Sequence, residues 1–89
     1  MIFKPIQTYD GGRDEEGRRH GHGVNKFPNG DVYSGDYAHG KRHGKGVYTW
    51  ANGNRYEGEY EDNKKQGTGA FRYLSGESYQ GNFCVKLFI

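Results

Sequence analysis

Tyrosine and glycine alternate with polar residues along this chain, and the alternation returns at a fixed step. Tyr33, Gly35 and Tyr37 fall on one side of an extended segment and Ser34 and Asp36 on the other, the period of two that marks a strand. Tyr56-Glu57-Gly58-Glu59-Tyr60 and Tyr79-Gln80-Gly81-Asn82-Phe83 restate the pattern, each 23 residues after the last. A second alternating segment follows the first, with Gly44, Gly46, Tyr48 and Trp50 on one side and Lys45, Val47 and Thr49 on the other. Between the two lies Ala38-His39-Gly40-Lys41, a short polar link that predicts a β-hairpin. Gly17, Gly40 and Asn63 share its phase, and these residue types tolerate positive φ best. Asn29-Gly30, Asn52-Gly53 and Ser75-Gly76 mark the turn into the next hairpin.

The predicted fold is all-β: stacked hairpins forming an elongated, single-layer, twisted antiparallel meander. A fixed period of this length marks a repeat array in which each unit touches only its neighbours, so its usual product is an extended surface and not an enclosed pocket. The units are expected at about residues 9–32, 33–55 and 56–78, with a partial one at 79–83, an N-terminal extension at 1–8 and a divergent tail at 84–89.

Strand glycines ordinarily weaken a sheet, so glycines recurring in phase suggest that something lies close against the backbone. The set is Gly21, Gly23, Gly35, Gly44, Gly46, Gly58, Gly67, Gly69 and Gly81. Aromatic rings lying flat over them would let a thin sheet hold together without a second layer. With Tyr37 beside Arg42, the expected register sets Gly35 opposite Gly44 and Tyr33 opposite Gly46.

Composition agrees with such a thin array. Of 89 residues 31% are hydrophobic, too few for a thick aliphatic core, whereas 16% are aromatic, more than a disordered chain carries. The net charge of +2 argues against a dedicated nucleic-acid binder. The single cysteine, Cys84, suggests a reducing compartment. No signal-peptide pattern opens the chain and no run reaches a membrane span, which points to a soluble, cytoplasmic protein.

Tyr-x-Gly-x-Tyr, then Gly-x-Gly, then Asn-Gly, at this spacing over about residues 9–83, resembles the MORN repeat. The resemblance implies β-hairpins stacked into a grooved single-layer sheet. Tyr9-Asp10-Gly11-Gly12-Arg13-Asp14-Glu15-Glu16-Gly17, Arg19-His20-Gly21-His22-Gly23 and Gly40-Lys41-Arg42-His43-Gly44 resemble, more narrowly, the radial-spoke-head members of that family. That likeness implies a place in the axoneme of cilia and flagella and other radial spoke head proteins as partners, with a second copy of the chain as a further candidate. Two departures stand out. Tyr9 precedes Tyr33 by 24 residues, one more than the period, with Arg13 in place of the second aromatic. After Phe83 the pattern lapses, so the strand from Tyr79 to Phe83 is expected to expose an edge.

Candidate contact residues are the rings Tyr33, Tyr37, Trp50, Tyr56, Tyr60, Tyr73 and Tyr79, taken as an aromatic groove. Arg18-Arg19, Lys41-Arg42 and Lys64-Lys65 recur in phase and would align as a basic rim. The rim is a track for acidic partners or, with Asp36, Glu57, Glu59 and Glu61 alongside, a solvated edge; the second is favoured. His20 and His22 share a strand face near His39 and His43, but no cysteine pair or carboxylate shows ligand spacing, so neither metal nor cofactor is expected. The Gly-x-Gly pairs lack the context of phosphate loops, and no nucleophile has its elbow or base. The expected function is a non-enzymatic scaffold. The alternative is a peripheral membrane adaptor whose basic rim meets anionic phospholipid.

Overall fold

The computed structural model describes residues 7–83; the tail with Cys84 and most of the N-terminal extension lie outside them. Among the described residues seven strands follow one another: β1 (Thr8–Arg13), β2 (Arg19–Lys26), β3 (Val32–Ala38), β4 (Lys41–Thr49), β5 (Arg55–Glu61), β6 (Lys64–Arg72) and β7 (Ser78–Phe83). They form one sheet in sequence order, every neighbouring pair antiparallel. The radius of gyration is 14.3 Å, against about 12 Å for a compact domain of this length, as a single layer requires.

The turns form where the sequence supplies positive φ. His39 and Gly40 (φ 48° and 90°) and Asp62 and Asn63 (φ 50° and 71°) make two-residue loops with both positions left-handed, the turn whose twist matches its strands. The first hairpin has a three-residue loop, Glu15-Glu16-Gly17, closed by Asp14 N–H to the Arg18 carbonyl at 2.8 Å and Gly17 N–H to the Asp14 carbonyl at 3.0 Å. The extra residue between Tyr9 and Tyr33 is absorbed there.

Register departs from expectation by two residues. Gly35 pairs with Gly46 and Tyr33 with Tyr48, although Tyr37 does pair with Arg42. Two residues on β3 therefore span four on β4, and Gly44 absorbs the difference at φ 87°. The same irregularity recurs in the first and third hairpins, at Gly21 (φ 77°) and Gly67 (φ 72°). A bulge with a left-handed glycine bends the strand and raises its twist.

This register aligns two rows across the sheet. Gly11, Gly23, Gly35, Gly46, Gly58, Gly69 and Gly81 pair successively through all seven strands. Beside them run Tyr9, Asn25, Tyr33, Tyr48, Tyr56, Phe71 and Tyr79, also paired in turn. On the hairpin side of each bulge a cation faces a tyrosine, Arg42 opposite Tyr37 and Lys65 opposite Tyr60.

The core is made of rings. Tyr33, Tyr37, Tyr56 and Tyr60 are its buried hydrophobic residues. Each strand-opening tyrosine folds over the glycine row and donates its hydroxyl three residues onward: Tyr9 to the Gly12 carbonyl at 2.7 Å, Tyr33 to Asp36 at 2.8 Å, Tyr56 to Glu59 at 2.9 Å. A methyl carbon built on Gly23 or Gly46 would fall 2.6 Å from Cζ of Tyr9 or Tyr33, and one on Gly69 2.8 Å from Cζ of Tyr56, so only glycine fits. The rings then meet edge to face along the array. Tyr9–Tyr37 (5.6 Å), Tyr37–Tyr33 (5.1 Å), Tyr33–Tyr60 (5.4 Å) and Tyr60–Tyr56 (5.3 Å) all cross at 77–87°.

Candidate functional site: two faces and a terminal turn

Outside the inner rings runs a second ladder. Phe27, Tyr48, Trp50, Phe71 and Tyr73 stack in succession at centroid distances of 5.9, 4.7, 5.0 and 5.0 Å. The seven rings singled out from sequence thus divide. Tyr33, Tyr37, Tyr56 and Tyr60 are enclosed within the array. Trp50 is half-buried, and Tyr73 and Tyr79 are exposed by 41% and 50%. Leu74, which the sequence reading passed over, is the most exposed large hydrophobic among the described residues, at 75%. Its signal was its phase, shared with Ala51.

The basic pairs divide too, because successive strand residues point to opposite faces and cross-strand partners share one. Arg42 lies over three rings, 5.2 Å from Tyr60, 5.7 Å from Tyr48 and 5.8 Å from Tyr33. Lys65 covers Tyr56 at 5.3 Å and Trp50 at 5.5 Å, and Arg19 lies 5.1 Å from Tyr9. Burial, and then the Arg42 charge, push the Lys65 ammonium below its ordinary pKa. Arg18, Lys41 and Lys64 remain exposed, and Arg18 pairs with Asp14 at 2.8 Å and Glu16 at 3.2 Å.

Arg42 also ties neighbouring units together. Its N–H donates to Asn63 Oδ1 at 2.9 Å and its guanidinium to the Asn63 carbonyl at 3.1 Å, while Asn63 N–H returns a bond to the Arg42 carbonyl at 3.0 Å. Arg42→Ala is therefore expected to cost about 2–3 kcal/mol in urea denaturation, combining desolvated cation–π contacts with lost hydrogen bonds. Lys41→Ala is expected to cost within about 0.5 kcal/mol.

The opposite face is open. A trough of about 920 Å³ runs there along the glycine row, walled by Asp36, Lys45, Glu57, Glu59 and Thr68. The sequence-predicted rings do not line it. Asp36 and Glu59, one repeat apart, brace the bulges: Asp36 accepts Lys45 N–H at 3.3 Å, and Glu59 accepts Thr68 N–H at 3.3 Å and its hydroxyl at 2.7 Å. Hydrogen bonding from Thr68 holds the Glu59 carboxyl below its usual pKa.

The fold also assembles what sequence spacing did not. Asp14, His20 and His39 converge, with potential ligand atoms within 4.8 Å of one another. Asp14 is already engaged as the cap of its turn. Oδ1 accepts the N–H groups of Glu16 and Arg18, both at 2.9 Å, while Arg18 Nε and His39 Nδ1 approach Oδ2 to 2.8 and 2.9 Å. His39 first, with the Arg18 and Glu16 bonds, outweighs burial and holds this carboxyl well below the ordinary range. A cation here would have to displace a guanidinium.

Such a molecule, a one-layer ladder of hairpins with its chemistry laid out on faces and ends, belongs to the class of repeat proteins that present surfaces. The family profile described as MORN repeat matches residues 15–32, 33–55 and 56–78, and the chain belongs to the MORN-repeat family. It is similar to the Radial spoke head 1 homolog of Mus musculus, with 53% identity over 32 residues. That stretch is 36% of this chain and 11% of the relative's length.

Proposed function

We propose that the chain is a non-enzymatic protein-interaction scaffold of the radial spoke head in the ciliary and flagellar axoneme, where it supports motility. The observation that carries the scaffold reading is the division of the side chains: the inner rings and their cations hold the sheet together, while a trough and a few terminal rings face outward. The likeness to a radial spoke head relative supports the axonemal placement. Tyr73 and Tyr79, which are exposed, and Trp50, which is half-buried, are the rings positioned to meet other spoke-head proteins, since accessible aromatic side chains are strong contact anchors.

The membrane-adaptor alternative draws on the basic rim. Rotation of Arg19, Arg42 and Lys65 onto rings weakens it, leaving Arg18, Lys41 and Lys64 outward. Tagged protein in ciliated cells, with pull-down from axonemal extract set beside co-sedimentation with anionic vesicles, separates the two. Axonemal localisation with recovery of spoke-head proteins is expected. Vesicle binding without either would reject the axonemal role in favour of the adaptor.

A further inference from the structure

We propose that Asp14, His20 and His39 form a zinc site that ties the turn of the first hairpin to the turn of the second, with Arg18 as a built-in competitor for the metal's place. Their potential ligand atoms all lie within 4.8 Å of one another. A tetrahedral zinc ion holds its ligand atoms about 3.4 Å apart, so closing on the ion asks for side-chain rotation and not for a new backbone path. Two imidazoles and a carboxylate suit zinc and its transition-metal neighbours, whereas calcium and magnesium want more oxygens than the group supplies. Among the described residues no other such group of three comes together.

The Asp14 carboxylate divides its two oxygens between two tasks. Oδ1 holds the turn by accepting the N–H groups of Glu16 and Arg18, while Oδ2 faces Arg18 Nε at 2.8 Å and His39 Nδ1 at 2.9 Å. Oδ2 can therefore change partner without opening the turn. The guanidinium shows what this corner attracts. Besides bonding Asp14, it reaches Glu16 Oε2 at 3.2 Å and lies 3.5 Å from His39 Nδ1, so one cation already sits among three ligand-type groups. The Arg18 side chain is 46% exposed and has open solvent to swing into, which leaves Glu16 placed to supply a fourth ligand. His20 is held beside His39, with ring centroids 4.5 Å apart, and its Nδ1 accepts the His39 N–H at 3.1 Å. A backbone N–H only donates, so that nitrogen carries the lone pair a metal requires.

The repeat itself shows what the metal adds. Where the second hairpin meets the third, the Asn63 side chain clasps Arg42, accepting its N–H at 2.9 Å. The same phase one unit earlier is Gly40, which has no side chain to give. Only the backbone half of the clasp remains there, Gly40 N–H to the Arg19 carbonyl at 2.8 Å. Asp14, His20 and His39 gather at this less firmly tied junction, and zinc would supply the missing link. This inference does not depend on the axonemal placement.

The test is a zinc titration of the full chain, its one thiol removed by Cys84→Ser, in competition with a chromophoric zinc indicator. One zinc per chain is expected, with half-saturation below about 10 μM. Saturating zinc should raise the melting temperature by at least about 5 °C. His20→Ala, His39→Ala and Asp14→Asn, which keeps Oδ1 for the turn, should each weaken binding at least about tenfold. Arg18→Gln should tighten it at least about threefold, because the competing cation is gone. His22→Ala and His43→Ala should leave it unchanged, and circular dichroism checks that every variant keeps the sheet. The inference is overturned by absence of saturation at about 100 μM zinc, by His22→Ala or His43→Ala weakening binding as much as His39→Ala, or by Arg18→Gln failing to tighten it.

Discussion

Gly46→Ala should lower the melting temperature by about 8 °C or more, at roughly 4–8 °C per kcal/mol for a domain of this size. Added to this position, a methyl carbon would fall 2.6 Å from Cζ of Tyr33, far inside contact distance. Tyr33 has no free volume into which to retreat, being 0% exposed, edge-on to Tyr37 and Tyr60, and hydrogen-bonded to the Asp36 carbonyl. Either the ring lifts and loses that bond, or the strands part. Overpacking of about 1–3 kcal/mol, with about 1 kcal/mol for the hydrogen bond, gives about 2–4 kcal/mol in all. Gly40→Asn is the matched control. Its position is also left-handed, at φ 90°, but Asn63 already fills the equivalent place one repeat later, so it should cost under about 1 kcal/mol. Equal melting temperatures for the two variants would mean that the rings do not rest on the glycine row.

The second large effect is expected in alkali, where the sheet should unfold before its inner tyrosines ionise. Burial pushes the phenols of Tyr33, Tyr37, Tyr56 and Tyr60 above the ordinary value near 10. Tyr48 is pushed up to about 12, first by burial and then by its 2.7 Å bond to the Asp31 carboxylate. A group whose pKa is raised on folding contributes stability that is complete below its unfolded pKa and is lost as the pH rises through the folded one. All five act in the same direction, so the loss accumulates from about pH 10 upward. Ionisation of these inner tyrosines and loss of the sheet's circular dichroism should occur together in one steep transition. Ionisation of all the tyrosines near pH 10 with the dichroism intact would contradict a buried ring core.

Much of the fold was legible because repeat phase and turn chemistry are local. Gly40, Asn63, Gly30 and Gly53 all take the positive φ that their residue types favour. Register was not legible at Gly44, because a glycine that bulges and a glycine that lies flat under a ring spell the same Gly-x-Gly. Only its φ of 87° tells them apart. Likewise Lys41 and Arg42 look alike as a pair, and it is the pairing of Arg42 with Tyr37 that sends one onto the rings. Asp14 and His39 lie 25 residues apart, and their contact depends on the second hairpin's turn packing against the first. Trp50, Tyr73 and Leu74 were harder still, since whether a side chain is enclosed depends on how successive units pack, which no single repeat spells.

The ring-over-glycine arrangement is tested most directly by proton NMR of the folded chain. The α-protons of Gly23, Gly46 and Gly69 should be displaced strongly upfield by the rings above them, with Overhauser contacts to the ring protons of Tyr9, Tyr33 and Tyr56. Unshifted glycine signals without those contacts would show that the tyrosines lie elsewhere.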